Sequence, residues 1–154
     1  MTRPPSTSPR APSPDDRRGV TIARMSAGRF RADNARGGVL EFGSGGDDPD
    51  FTPVELLLAA VGGCSGIDVD LITSRRSEPE TFEITVDARK LRDSNGNHLS
   101  DVAMSFRVTF PDGDAGDAAR AVLSDAVHKS HDRLCTVSRT VELPTPVAVS
   151  VRTD

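Results

Sequence analysis

Two thiols carry the chemistry this chain can be asked about. Cys64 lies inside the apolar stretch Phe51–Asp68, and Cys135 follows in His131-Asp-Arg-Leu-Cys135-Thr-Val-Ser138. A thiol pair can cycle between dithiol and disulfide, and the reacting form is the thiolate. A thiolate needs positive charge or hydrogen-bond donors beside it. The helix around Cys64 offers no cation within a turn. It offers Asp68 at i+4, a carboxylate that disfavours the thiolate, so an arginine from elsewhere is required. Cys135 follows the expected end of a helix and precedes another short one, a position that lowers a thiol's pKa. Each cysteine also has a plainer reading, as a small buried hydrophobe. Spacing does not say whether the two sulfurs meet.

Other constellations are weaker. His128, His131 and Cys135 fall at i, i+3 and i+7, and with Cys64 they would make four ligands, but the spacing fits no strong zinc pattern and no metal or cofactor is expected. Gly43-Ser-Gly-Gly46 precedes a helix without a P-loop lysine, and there is no Gly-x-Ser-x-Gly elbow and no paired-carboxylate pattern. With a net charge of −4, six Phe and no Trp or Tyr, the chain lacks the basic stripes and stacking platform of a nucleic-acid binder. It shows no run of about 18 apolar residues to span a membrane and no apolar leader, so the expected compartment is the cytoplasm. There a lone cysteine pair is free, catalytic or metal-bound more often than a permanent staple.

The elements that must position the thiols can be read in order. Residues 1–18, rich in Pro, Ser and Arg, read as a disordered tail, and residues 19–154 as a single domain. Val20–Phe42 holds short apolar pieces separated by glycines, which predicts two or three strands in a meander. Thr52, Pro53 and Glu55 form a helix start with a capping box. The helix runs to about Ser74, with one stripe of Val54, Leu57, Leu58, Val61, Cys64, Asp68 and Leu71 and a second of Leu56, Ala60, Gly63 and Ile67. A helix apolar on most sides is expected to be buried on most sides. Gly62-Gly63 costs about 1 kcal/mol per glycine there, which a close backbone approach would justify. Thr81–Leu91 and Val102–Phe110 alternate around the turn Asp93–Asn97, predicting a long hairpin with one wet face. Ala115 to about Ser130 is a second helix, with Ala119, Val122, Leu123, Ala126 and Val127 inward. Cys135–Val141 is a short third helix, and Val147, Val149 and Val151 alternate as a last strand. The order is that of an α+β fold.

At this level the chain resembles the OsmC/Ohr family. Pro53-Val-Glu-Leu-Leu-Leu-Ala-Ala-Val-Gly-Gly-Cys64-Ser-Gly-Ile-Asp68-Val looks like that family's central-helix signature, and Cys135-Thr-Val-Ser138 after a helix resembles its second-cysteine segment. The likeness covers roughly Val20 to Val151. It implies antiparallel sheets wrapped around two long central helices in an intertwined homodimer. It also implies a peroxidase acting on organic hydroperoxides. Carried over, Cys64 attacks the peroxide and becomes a sulfenic acid, Cys135 condenses with it into a disulfide, and an external dithiol resets the pair.

The chain departs from the pattern at one point. In the hydroperoxide-resistance branch an arginine holds the thiolate and a glutamate directly after the helix-starting proline orients it. Here that position is Val54. Glu55 stands nine residues before Cys64, and at about 100° per residue this puts it on the opposite side of the helix, where it suits the cap. Arg29, in Ala27-Gly-Arg-Phe30, best matches the family's arginine, with Arg24, Arg31 and Arg36 as rivals. The second reading is therefore a non-peroxidase dimer of the same family that binds a small apolar ligand or acts as a thiol sensor.

Overall fold

The computed structural model describes residues 12–153, so residues 1–11 of the expected tail lie outside it. Within residues 12–18 the chain makes a 3-10 turn at Pro14–Asp16, where the Ser13 N–H donates to Asp16 Oδ2 at 2.7 Å. The chain groups into two compact units, one up to Pro53 and one from Val54 onward.

The first unit is a three-stranded antiparallel meander of β1 (Val20–Ser26), β2 (Arg29–Asn34) and β3 (Val39–Phe42), in the order β1-β2-β3. The expected strands are all present. Gly28, with φ 71°, turns β1 into β2 in the left-handed region where a side chain is strained. Phe30 pairs directly with Phe42 across β2 and β3, and their rings stack 6.0 Å apart. Phe42 is buried, whereas every residue of β1 is exposed.

The second unit is built on α1 (Pro53–Thr73) and the hairpin β4 (Thr81–Asp93) and β5 (Gly96–Thr109). The hairpin register runs from Thr81 opposite Thr109 to Asp93 opposite Gly96. Both strands reach further toward the turn than the alternation predicts. The Asn95 N–H donates to Asp93 Oδ1 at 2.7 Å, and Gly96 takes φ 121° to close the turn. Phe82, Ile84, Val86 and Ala88 lie on the less exposed face, as their alternation predicts. Phe82 meets Phe106 edge to face at 6.2 Å. α2 (Asp114–Lys129) buries Gly116, Ala119 and Ala126. After it the helix widens into a π turn at Ser130–Leu134, and α3 (Thr136–Glu142) follows.

Two expectations need correcting. α1 is not buried on most sides. One stripe is: Val61, Gly62, Ser65, Gly66, Val69 and Thr73. Ile67 is 65 % exposed and Leu71 59 %, and Gly63 and Ala60 are exposed beside them. The glycine that meets the sheet closely is Gly62, together with Gly66. A Cβ on Gly62 would lie 2.8 Å from Val86 Cγ2, and one on Gly66 would lie 2.6 Å from Ile84 Cδ1, while Gly63 faces open space. The i, i+4 spacing puts both small residues on the face that β4 covers. The second correction is the last strand. Residues 145–153 form no strand, and Val147 is 86 % exposed. Strand structure needs a ladder partner, and no edge among the described residues of the chain supplies one.

By length and mean hydropathy, 1.6 over its most apolar window, α1 would pass for a membrane span, although Glu55, Asp68 and Asp70 interrupt its apolar run. The same length and composition belong to helices packed inside protein, so these two properties do not separate the cases.

Candidate functional site

Three short pieces of the second unit bring the thiols together. α1 carries Cys64 and Ser65 side by side. The π turn closes with the Cys135 N–H donating to Ser130 O at 2.9 Å, an i to i+5 bond. The extra residue of the wide turn ends the helix, and Cys135 takes an extended backbone, φ −70° and ψ 101°, as the N-cap of α3. Ser130 anchors the turn to α1: its buried hydroxyl donates to Asp68 Oδ2 at 2.8 Å. Asp68, expected from its spacing to work against a Cys64 thiolate, is therefore turned toward the π turn as a hydrogen-bond acceptor.

Both cysteines are free, and their sulfurs are near enough to shift each other's ionisation. Their surroundings differ. Cys64 is partly exposed, and the backbone N–H groups of Thr136 and Val137 face its sulfur. Cys135 is 1 % exposed. The Ser138 N–H donates to its Sγ at 3.3 Å, and Ser138 Oγ lies 3.2 Å from the same sulfur. The protonated thiol donates to that hydroxyl, and a thiolate would accept from it. Ser65 is fully buried, and its Oγ has no hydrogen-bond partner while Cys135 is a thiol. It lies near enough to Cys135 to favour negative charge on that sulfur.

The electrostatics follow from these donors. Burial pushes the Cys64 thiol up, and its neighbour Cys135 adds to this, against the Val137 and Thr136 amides. Burial also pushes Cys135 up, but Ser138 Oγ–H, Ser65 Oγ–H, the Ser138 amide and the Cys64 thiol outweigh it and hold Cys135 below an ordinary thiol.

Beside the pair, Ser138 and Val61 also line an apolar cavity of about 320 Å³, walled by Val102, Met104, Val127 and Val141 with His131 and Glu142 at its polar edge. His131 Nε2 lies 3.4 Å from Glu142 Oε1, and His128 Nδ1 lies 2.8 Å from Ser124 O. The π turn breaks the helical phase that would have set both histidines on one face with Cys135. No group of three or more His, Cys, Asp or Glu among the described residues could hold a metal.

Arg29 lies in the first unit. Its Nη1 donates to Asp48 Oδ2 at 2.6 Å and its Nη2 to Asp50 Oδ2, with Glu41 3.7 Å away. Hydrogen bonds donated to Asp50 and Asp48 hold the guanidinium charged more firmly than usual, and the Asp50 N–H, with Arg29, keeps the Asp48 carboxyl below its ordinary range. Arg31, one of its rivals, is bound to Asp33 at 2.7 Å.

The residues that sequence reasoning passed over are Ser65, Ser130 and Ser138. A signal existed for the first: a serine inside an apolar helix must find a partner if it is buried. Ser138 stood in the quoted Cys135-Thr-Val-Ser138 segment without a role. Nothing local marks Ser130, whose partner is 62 residues away.

Comparison with known proteins sets this geometry in context. Residues 45–150 match the family described as OsmC-like protein. No curated protein matches the chain. Among solved structures, an OsmC-like protein from Mycoplasma pneumoniae is 12 % identical, with a TM-score of 0.66 over 83 % of this chain and 89 % of that one. An OsmC-like protein of unknown function from Vibrio cholerae is 17 % identical, with a TM-score of 0.61 over 75 % and 79 %. The organic hydroperoxide resistance protein OhrB of Bacillus subtilis is 16 % identical, with a TM-score of 0.51 over 80 % and 90 %. At these identities the likeness is one of fold. With a family match over more than two thirds of its length and an α+β fold shared with these structures, the chain belongs to the OsmC-like family.

Proposed function

We propose that this protein is a cysteine-dependent peroxidase that reduces organic hydroperoxides. The observation that carries the reading is the proximity of two free thiols, one partly exposed and one buried against Ser138. Cys64 is the sulfur a substrate reaches. The Cys64 thiolate bonds to the outer peroxide oxygen as the O–O bond breaks and the alkoxide leaves, taking a proton to become the alcohol, which leaves a Cys64 sulfenic acid near the Thr136 and Val137 amides. Cys135 then displaces the hydroxyl to form the disulfide. An external dithiol returns both cysteines to thiols, a step that suits the reducing cytoplasm. The apolar cavity beside Ser138 supports an organic tail on the peroxide, since valine and methionine walls favour hydrocarbon over water. Some of the proteins sharing the fold are organic hydroperoxide resistance proteins.

The working unit is a homodimer. Ile67, Leu71, Leu57 and Val54 leave a long apolar face on α1 that no other described part of the chain covers, and such a face is stable in water only against another apolar surface.

A second reading rests on its own observation. Val54 stands where a glutamate would orient an arginine, and Arg29 is bound by Asp48 and Asp50. A dimer that binds a small apolar ligand or senses thiol oxidation would need only the cavity and the pair. Steady-state turnover separates the two. With cumene hydroperoxide and a dithiol reductant, the wild-type chain consumes peroxide and Cys64→Ser does not. Consumption no faster than in that variant removes the peroxidase reading and leaves the second.

A further inference from the structure

Two fully buried hydroxyls of the second unit direct their hydrogen bonds differently. Thr73 donates to Val69 O at 3.0 Å, four residues back in its own helix, as a helical Ser or Thr commonly does. Ser130, at the end of α2, could bond back to Ala126 O in the same way. It donates instead to Asp68 Oδ2 at 2.8 Å, across 62 residues of chain. Its carbonyl is engaged as well, accepting from the Cys135 N–H at 2.9 Å. One residue is thus fixed to α1 by its side chain and to Cys135 by its backbone. Asp68 stands four residues after Cys64, which sets the two side chains on one side of α1, about 5–6 Å apart at Cβ. Both are half-buried. The Asp68–Ser130 bond therefore joins the same two segments that carry the two sulfurs, one helical turn from Cys64. Aspartate is a poor residue for a helix interior, and here its carboxylate serves a hydroxyl from another segment.

From this arrangement we propose that Asp68 and Ser130 are positioning residues for closure of the Cys64–Cys135 disulfide: the bond between them, carried through the π turn, holds the Cys135 sulfur within reach of Cys64. The π turn transmits the tie. The i to i+5 bond from Cys135 to Ser130 ends the helix, and Cys135 takes its extended backbone there. From that backbone its sulfur accepts the Ser138 N–H at 3.3 Å, which fixes the side chain at the start of α3. The step served is closure. The Cys135 sulfur forms a bond to the Cys64 sulfenic sulfur as the S–O bond breaks, and the Cys135 thiol proton leaves with the hydroxyl as one water. The Cys135 sulfur is oxidised, the sulfenic sulfur is reduced, and no other reactant is needed. A thiol in the same chain reacts at an effective concentration set by how firmly its segment is held. Cutting the tie lowers that concentration and leaves both sulfurs in place to react.

The proposal rests on the peroxidase reading only for the source of the sulfenic acid. The placement of Cys135 bears equally on a disulfide made by any other oxidant, so the two can be tested apart.

Two measurements on the full chain do this. In the first, the pair is equilibrated with reduced and oxidised glutathione, one oxidised glutathione becoming two thiols for each protein disulfide formed. Ser130→Ala should lower the equilibrium constant at least ~10-fold, as the loss of one hydrogen bond to a charged group would. Asp68→Ala removes the other end of the bond and should match it. The double variant should be no worse than either single one, because all three lose the same interaction. Asp68→Asn keeps an acceptor oxygen and should stay within ~3-fold of the wild-type chain. An unchanged constant in both alanine variants, effects that multiply in the double variant, or an asparagine variant as impaired as the alanine one overturns the proposal. The second measurement is a single turnover with cumene hydroperoxide, with dimedone as the trap for sulfenic acid. Ser130→Ala should slow disulfide closure at least ~10-fold more than it slows sulfenic acid formation, leaving Cys64 open to the trap. Equal slowing of both steps overturns the assignment to closure. If no chain consumes peroxide but the glutathione constants fall as expected, the peroxidase reading falls and the positioning role stands. If peroxide is consumed and the glutathione constants do not change, the positioning role falls and the peroxidase reading stands.

Discussion

Two long uncharged faces of α1 have opposite fates. On one face, Gly62, Ser65, Gly66 and Val69 lie against the hairpin and the thiol pair, with every position buried. On the other, Leu57, Ile67 and Leu71 are larger and more apolar, yet they stand exposed. Hydrophobicity alone would have buried the second face first. What distinguishes the faces is shape. Small residues let β4 approach so closely that an added Cβ would collide with Val86 or Ile84, and that approach brings the inner face of the sheet onto the helix. The large residues form a raised apolar ridge with no counterpart among the described residues, which is the form a contact between two copies would take.

Filling the glycine face is the most damaging change this contrast predicts. Gly62→Leu forces side-chain atoms into Val86, whose β-branched side chain has little freedom to turn away. Overpacking of about 3 kcal/mol, offset by up to ~1 kcal/mol of helix propensity, should leave a loss of ~2 kcal/mol in denaturant unfolding. A neutral or stabilising result would mean that the close approach does not hold the helix. Cutting the tie between the π turn and α1 comes next. Ser130→Ala leaves the Asp68 carboxylate without that donor, an expected loss of about 1–2 kcal/mol, and it should also slow disulfide formation because Cys135 is placed by that turn. The smallest effect on the fold of one chain is expected on the exposed face. Ile67→Lys should change intrinsic stability by no more than about 0.5 kcal/mol while shifting sedimentation toward a monomer. If the variant stays dimeric, the ridge is not the interface.

Much of the fold was legible because it rests on local regularities. The start of α1 at Pro53 follows from proline chemistry, and the hairpin follows from strict alternation around Asp93–Asn97. The inner residues of α2 follow from helical spacing. The faces of α1 were not legible in this way, because an apolar stripe says that a surface wants cover and not what covers it. The last strand failed for a related reason. Val147, Val149 and Val151 have the alternation of a strand, but alternation cannot supply the neighbouring edge that makes one. The phase between His131 and Cys135 was not legible, because a single π turn adds a residue without any mark in the pattern of side chains.

For the site, the sequence by itself determined which atoms can react: two thiols and nothing else of comparable reactivity, in segments whose spacing resembles one family. Only the tertiary structure decided how they are disposed. It brought the sulfurs near each other, left one partly exposed and buried the other, and turned Asp68 toward Ser130. It also set Ser138 against Cys135. The physical reason is that reactivity resides in a side chain's own bonds, whereas its protonation depends on the donors, burial and charges that other segments bring to it.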